Sequence, residues 1–248
     1  MKCGDLNAVD PLKKQPTEGV PSDGLSPMDP PDAYAPPGVE DVPYEKMPKI
    51  LQNLMDDHKA FEAPLKSFEE ALGKLRENGL APDKEVDEAL RSFFSFLDDQ
   101  MIGHEAKEEK ILFPLLQERL IEKGEHGGGD MPTTAIDMLE DDHSKVMQLA
   151  AVTFNFLGLA ARLPDAPSSA IVLDAALEQG EVLTELLRLH MFREDSIVFP
   201  LAAKHLTDTE FGEMELRLTK AVGRSRVGCS DRSTPDTAAS NPKETRTT

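Results

Sequence analysis

Apolar residues recur three and four positions apart along most of this chain. The first series runs Leu51, Leu54, Phe61, Leu65, Phe68, Leu72 and Leu75, the buried stripe of one helix. Pro48 suits its first turn and Asn78-Gly79 its end. Pro64 inside it predicts a kink just past His58, because proline lacks an N–H and crowds the preceding turn. A second series, Val86, Leu90, Phe93, Leu97, Met101, Ile111 and Leu115, opens at Pro82-Asp83 and ends at Lys123-Gly124. The third follows Met131-Pro132-Thr133 with Ile136, Leu139, Met147, Ala150, Phe154 and Leu157, and closes at Leu163-Pro164-Asp165. The fourth, from about Ser168, carries Leu173, Leu177, Leu183, Leu187, Val198 and Leu201. A short fifth helix is expected over about 208–222 as a lid or end cap. No run alternates with period two, so there is no strand signal.

Each of the four stripes is broken on its inner side by a histidine. His58 and His143 follow Asp56-Asp57 and Asp141-Asp142, and precede His104 and His190 by 46 and 47 residues. The later pair opens a repeated phrase, His-Glu-Ala-Lys-Glu-Glu-Lys-Ile-Leu-Phe-Pro over 104–114 and His-Met-Phe-Arg-Glu-Asp-Ser-Ile-Val-Phe-Pro over 190–200. Glu108 and Glu194 stand four residues after their histidines, one turn away on the same face. The chain reads as one half written twice.

Short connections make neighbouring helices antiparallel, and counting along them gives the depth of each histidine. From His58 to the turn near 78 is about 20 residues, or about 30 Å, and from 83 back to His104 is nearly the same rise in the opposite sense. His143, the turn near 163 and His190 repeat the match. The pattern predicts an all-α fold: an up-down-up-down antiparallel four-helix bundle with its four histidines in one layer.

Composition confines that bundle to residues 46–222. Residues 1–45 hold nine prolines and few large apolar residues, while residues 223–248 are rich in Ser, Thr, Arg and Pro; both are expected to be disordered tails. A formal charge of −19 counts against nucleic acid and anionic membrane as partners, since binding phosphates needs Lys and Arg. No segment approaches about 18 consecutive apolar residues, and the first residues lack the apolar run of a signal peptide, so a cytoplasmic protein is expected. Cys3 and Cys229 lie in the tails without metal-ligand spacing, which indicates neither a disulfide framework nor a thiolate site.

A lone inward histidine is usually a satisfied core residue. Four at one depth, two with a carboxylate one turn away, are a different case. Uncompensated burial of Glu108 and Glu194 costs several kcal/mol each, and no Arg or Lys lies on those faces. A metal centre supplies the missing positive charge. Imidazole and carboxylate without thiolate favour iron or manganese over zinc. Charge counting favours a pair, because two ferrous ions with two glutamates leave the same net charge as two ferric ions with an added oxide. Six side chains cannot saturate two six-coordinate ions, so positions stay open for a small molecule. Glu62, one turn after His58, is either a solvated glutamate or an extra ligand. Asp57 and Asp142 point about 100° away from their own histidines; they are read as cap or surface charges, or as partners of a ligand on a neighbouring helix. His126 and His205 are expected to face solvent.

The ordered set His58, His104-x-x-x-Glu108, His143, His190-x-x-x-Glu194 resembles the hemerythrin-like, HHE-type cation-binding domain, over about 45–205. The resemblance implies two Fe ions (Fe2+/Fe3+) in an oxo- or hydroxo-bridged centre, with Glu108 and Glu194 bridging and the four histidines as terminal ligands. Oxygen-carrying members have a fifth histidine one turn after the third, where this chain has Met147, which counts against an oxygen carrier. Their terminal aspartate, five residues after the last histidine, corresponds to Asp195. His104-Glu105-x-x-Glu108 is similar to the iron- and oxygen-sensing member in an F-box ubiquitin-ligase subunit, where the adjacent glutamate also touches metal, so Glu105 joins the candidates. The function expected is to bind or sense O2, NO, peroxide or iron, with a small diatomic or peroxide ligand as partner. The alternatives are an enzyme that reduces peroxide or NO or oxidises Fe2+, and an iron store.

Overall fold

The computed structural model describes residues 42–127 and 132–227, with side chains to Thr219. Residues 1–41 and 228–248 lie outside them, and with them most of both expected tails. Just ahead of the first helix, the turn Tyr44–Lys46 is held by the Tyr44 hydroxyl, which donates to Asp56 at 2.8 Å.

The described residues form helices and no strand: α1 (Lys49–Asn78), α2 (84–123), α3 (Ala135–Ala160), α4 (166–205) and α5 (Asp208–Val227). Their starts are written in side chains that satisfy free N–H groups. Asp83 accepts from Glu85 N and Val86 N, Thr134 and Asp137 form a reciprocal capping box, and Asp165 accepts from Ser168 N. α1 and α2 stop at Gly79 and Gly124, with φ of 60° and 77° that only glycine adopts freely. α1 runs through Pro64 as one helix.

α2 and α4 are not uniform α-helices. Wide π turns interrupt them at Leu97–Met101, Glu108–Leu112 and Glu194–Val198. Two of the three start at the repeated glutamates and end just before Phe-Pro. Pro114 and Pro200 have no N–H and would crowd the carbonyl four residues back. Widening the turn instead lets Phe113 N–H reach the Glu108 carbonyl and Phe199 N–H the Glu194 carbonyl, five residues back. The inward face shifts with it: Leu112, Phe113, Leu116 and Leu120 are buried, while Leu115, expected on the stripe, is only half-buried. On α3 the expected stripe is also displaced. Val146, Leu149, Ala150 and Thr153 face inward, whereas Met147 is 38% and Phe154 59% exposed.

α1 packs on α2 and α4, α3 packs on α4, and the last stretch of α2 touches α3, so the four helices close a ring in chain order. The apolar core inside falls into two clusters. One includes Phe61, Leu65, Phe68, Leu72, Phe93, Val146, Leu183 and Leu187; stacked Phe68 and Phe93, centroids 3.8 Å apart, contribute about 1.5–3 kcal/mol each by burial. The other includes Leu51, Leu54, Phe113, Leu116, Ile136, Leu139, Phe199 and Leu201. α5 caps this second cluster with Phe211 and Met214. Its start is fixed by Glu210, which accepts from Thr207 N at 2.7 Å and from Arg119 at 2.7 Å. Among the described residues, no helix is long and apolar enough to cross a membrane.

Candidate metal centre

Between the two apolar clusters lies the polar layer that the counting places at one depth. α1 brings His58, α2 His104 and Glu108, α3 His143, and α4 His190 and Glu194, all 4% exposed or less. They form two groups that share both carboxylates. His58 and His104 join Glu108 and Glu194 on one side, His143 and His190 join them on the other, and the ligand atoms within each group lie within 4.8 Å of one another.

The rings present their Nε2 atoms inward, His58 to His104 at 2.9 Å and His143 to His190 at 3.1 Å. Glu108 divides its oxygens between the pairs, Oε1 at 3.2 Å from His104 Nε2 and Oε2 at 3.6 Å from His143 Nε2. Glu194 serves both pairs through one oxygen, with Oε2 at 3.2 Å from His58 Nε2 and 3.3 Å from His190 Nε2.

These contacts leave the layer chemically incomplete. All four oxygens of Glu108 and Glu194 lack a hydrogen-bond partner although both residues are fully buried. A buried carboxylate in that condition costs several kcal/mol unless a cation compensates it. A metal ion in each group, bound by oxygen and imidazole nitrogen, supplies that compensation, so the residues present fit metal ions.

The carboxylates also act on the imidazoles. Burial drives His58 down, but Asp195 and Glu194 outweigh it and raise the imidazole to about 9. His104 is opposed by burial in the same way and rises to about 10 on account of Glu108 and Asp57. His190 is also raised, Glu194 and Asp142 overcoming burial. Burial pushes the Glu194 carboxyl up, yet His190 and His58 hold it below the usual range. Metal uptake must displace protons from these imidazoles.

Around the layer, carboxylates meet the outer nitrogens. Asp195 lies 2.9 Å from His58 Nδ1, Asp57 3.2 Å from His104 Nδ1, and Glu109 3.0 Å from His143 Nδ1; Asp142 stands 3.9 Å from His190 Nδ1. Aromatic rings cover three of these imidazoles. Phe199 stacks on His58 at 5.7 Å and Phe113 on His143 at 5.8 Å, both with planes at 14°, while Phe61 meets His104 edge-on at 5.1 Å. The π turns before Phe-Pro thus bring each phenylalanine over a histidine of another helix.

The secondary candidates separate. Asp195 sits on the outer side of His58, away from its Nε2. Glu105 is buried with Oε1 unpartnered, and burial raises its carboxyl against the opposing influence of His143 and His190, but it is in neither of the two groups. Glu62 lies outside the layer: 58% exposed, it faces Arg188 on α4, because Phe61 takes the inward place one residue earlier. His126 is exposed as expected, but His205 is not: its side chain is 9% exposed beside Glu125. Glu109, Phe113 and Phe199 also border the layer, though none is among the candidates that spacing singles out. The signal was the repeated phrase itself, in which Glu109 pairs with Asp195 and Phe113 with Phe199 at equal distances from the histidines.

The hemerythrin HHE cation binding domain is the family whose model matches the chain, over residues 49–202. No curated protein and no solved structure matches it at a significant level. With most of the chain matched, and with two histidine–glutamate groups able to hold metal inside an all-α bundle, the chain belongs to the hemerythrin HHE cation-binding family.

Proposed function

We propose that this protein holds two iron ions, one in each histidine–glutamate group, and uses them to bind or sense O2, NO, peroxide or iron itself. The observation that carries the reading is the set of four buried, unpartnered oxygens on Glu108 and Glu194, placed between two pairs of imidazoles. Each glutamate contacts both pairs, as a carboxylate serving two ions must. Iron bound there supplies a reversible change of oxidation state and open positions for a small ligand.

The chain's own residues do the rest. His58, His104, His143 and His190 present Nε2, and Glu108 and Glu194 neutralise charge between the two positions. Phe61, Phe113 and Phe199 exclude water from the imidazoles. Burial raises the carboxyl of Glu105, the neighbour of His104 in sequence. Asp195 acts on His58 from outside.

The test is incubation of the iron-loaded protein with peroxide or NO and an electron donor. A binder or sensor gives a stoichiometric response that stops. Continued catalytic consumption replaces this reading with that of an enzyme, and failure to load iron removes it.

A further inference from the structure

We propose that Asp57, Glu109 and Asp195 are positioning residues around the site, each setting a histidine on the next helix, with Asp142 facing the fourth histidine and Lys107 and Arg193 as anchors. The inference rests on the reading of this layer as a metal centre.

The four carboxylates follow the order of the helices. Asp57 of α1 reaches His104 of α2, Glu109 of α2 reaches His143 of α3, Asp142 of α3 faces His190 of α4, and Asp195 of α4 returns to His58 of α1. Every one of these carboxylates is the immediate neighbour in sequence of an inward group on its own helix: His58, Glu108, His143 and Glu194 in turn. Adjacent residues diverge by about 100° around a helix, so one points into the layer and the other sideways to the neighbouring helix. A carboxylate on Nδ1 holds the proton there and leaves the Nε2 lone pair facing inward, which fixes both tautomer and ring orientation. Three of the four histidines are held in this way; His190 Nδ1 has no hydrogen-bond partner among the described residues, and Asp142 faces it at 3.9 Å.

Two of these carboxylates are themselves held. Lys107 Nζ lies 2.7 Å from Asp57 Oδ2, and Arg193 Nη1 lies 2.9 Å from Asp142 Oδ2. Both cations stand three residues after the histidine they steady, at matching places in the repeated phrase. Asp142 and Arg193 are 3% and 12% exposed, and an ion pair so placed is not one of the solvent-exposed pairs that contribute little. Its Asp142 oxygen is the one that faces His190.

The experiment measures Fe2+ affinity without oxygen, by competition with a chromophoric chelator, together with the melting temperature of each iron-free protein. The variants are Asp57→Asn, Glu109→Gln, Arg193→Met and Arg193→Lys. Loss of a carboxylate partner is expected to weaken iron binding about 10- to 100-fold, and Glu109→Gln, at an exposed carboxylate, to leave the iron-free melting temperature close to wild type. Arg193→Met is expected to weaken binding and Arg193→Lys to recover most of it. Glu109 is 43% exposed, so its substitution keeps the test open should a buried variant fail to fold. Affinities equal to wild type in all four variants overturn the proposal. So does a loss in Arg193→Met that Arg193→Lys repeats in full. Wild-type protein that takes up no iron overturns instead the metal reading beneath it.

Discussion

Glu108 and His143 meet across two helices, with Glu108 Oε2 3.6 Å from His143 Nε2 while Oε1 stays 3.2 Å from His104 on its own helix. One side chain is thereby common to both halves of the repeat. Its oxygens have no other partner, so the condition of either histidine pair is felt by the other through a buried charge.

Removing one imidazole should therefore cost more than one ligand. His104→Ala leaves Glu108 buried beside a depleted site, and breaking a buried ion pair in this way costs about 3–5 kcal/mol. Urea unfolding and metal analysis of the variant should show lower stability and lost metal. Wild-type values for both would mean that the two groups are not one site.

Alkali should weaken the metal-free protein. His58 and His104 are raised in the folded state to about 9 and about 10, above the ordinary value for histidine of about 6.5. Their contribution is fully present below about 6.5 and is lost as pH rises through the folded values. The melting temperature of iron-stripped protein should fall between about pH 7 and 10, and the metal-loaded protein, whose imidazoles carry no proton on Nε2, should fall less. Parallel curves for the two forms would contradict this.

Acid should act at α5, away from the histidine layer. Glu210 is held at about 2 by Thr207, whose backbone N–H it accepts, and by Arg119. A depressed carboxyl stabilises above its unfolded value, near 4.5, and that contribution is lost as pH falls toward 2. Amide-exchange protection in α5, corrected for the intrinsic pH dependence of exchange, should fall over that interval, and Glu210→Gln should remove the fall while protection in α1 is unchanged.

Much of this site is legible in the sequence because it depends on sums along straight helices. His58 and His104 meet because about 20 residues of helix separate each of them from the short connection between α1 and α2. What periodicity hides are departures from it. The Phe-Pro pairs are plain to read, but the wide turn that precedes each adds a residue, and on α2 it moves the inward face from Leu115 to Leu112, Phe113 and Leu116. On α3, positions 146 and 147 are nearly equivalent to a helical stripe, and the larger Met147 drew the reading outward where Val146 packs. Glu62 matched the four-residue step from His58 but stands beside Phe61, which fills the inner place. Asp195 was visible as a candidate, yet which nitrogen of His58 it meets depends on the contact between α4 and α1, which no local spacing encodes.

The central claim is tested most directly by the metal content of the purified protein, with its ultraviolet-visible spectrum recorded before and after dithionite and again after air. The account predicts about two irons per chain and near-ultraviolet bands that bleach on reduction and return on oxidation. Iron-free protein, or a single zinc with no reversible spectrum, would contradict it.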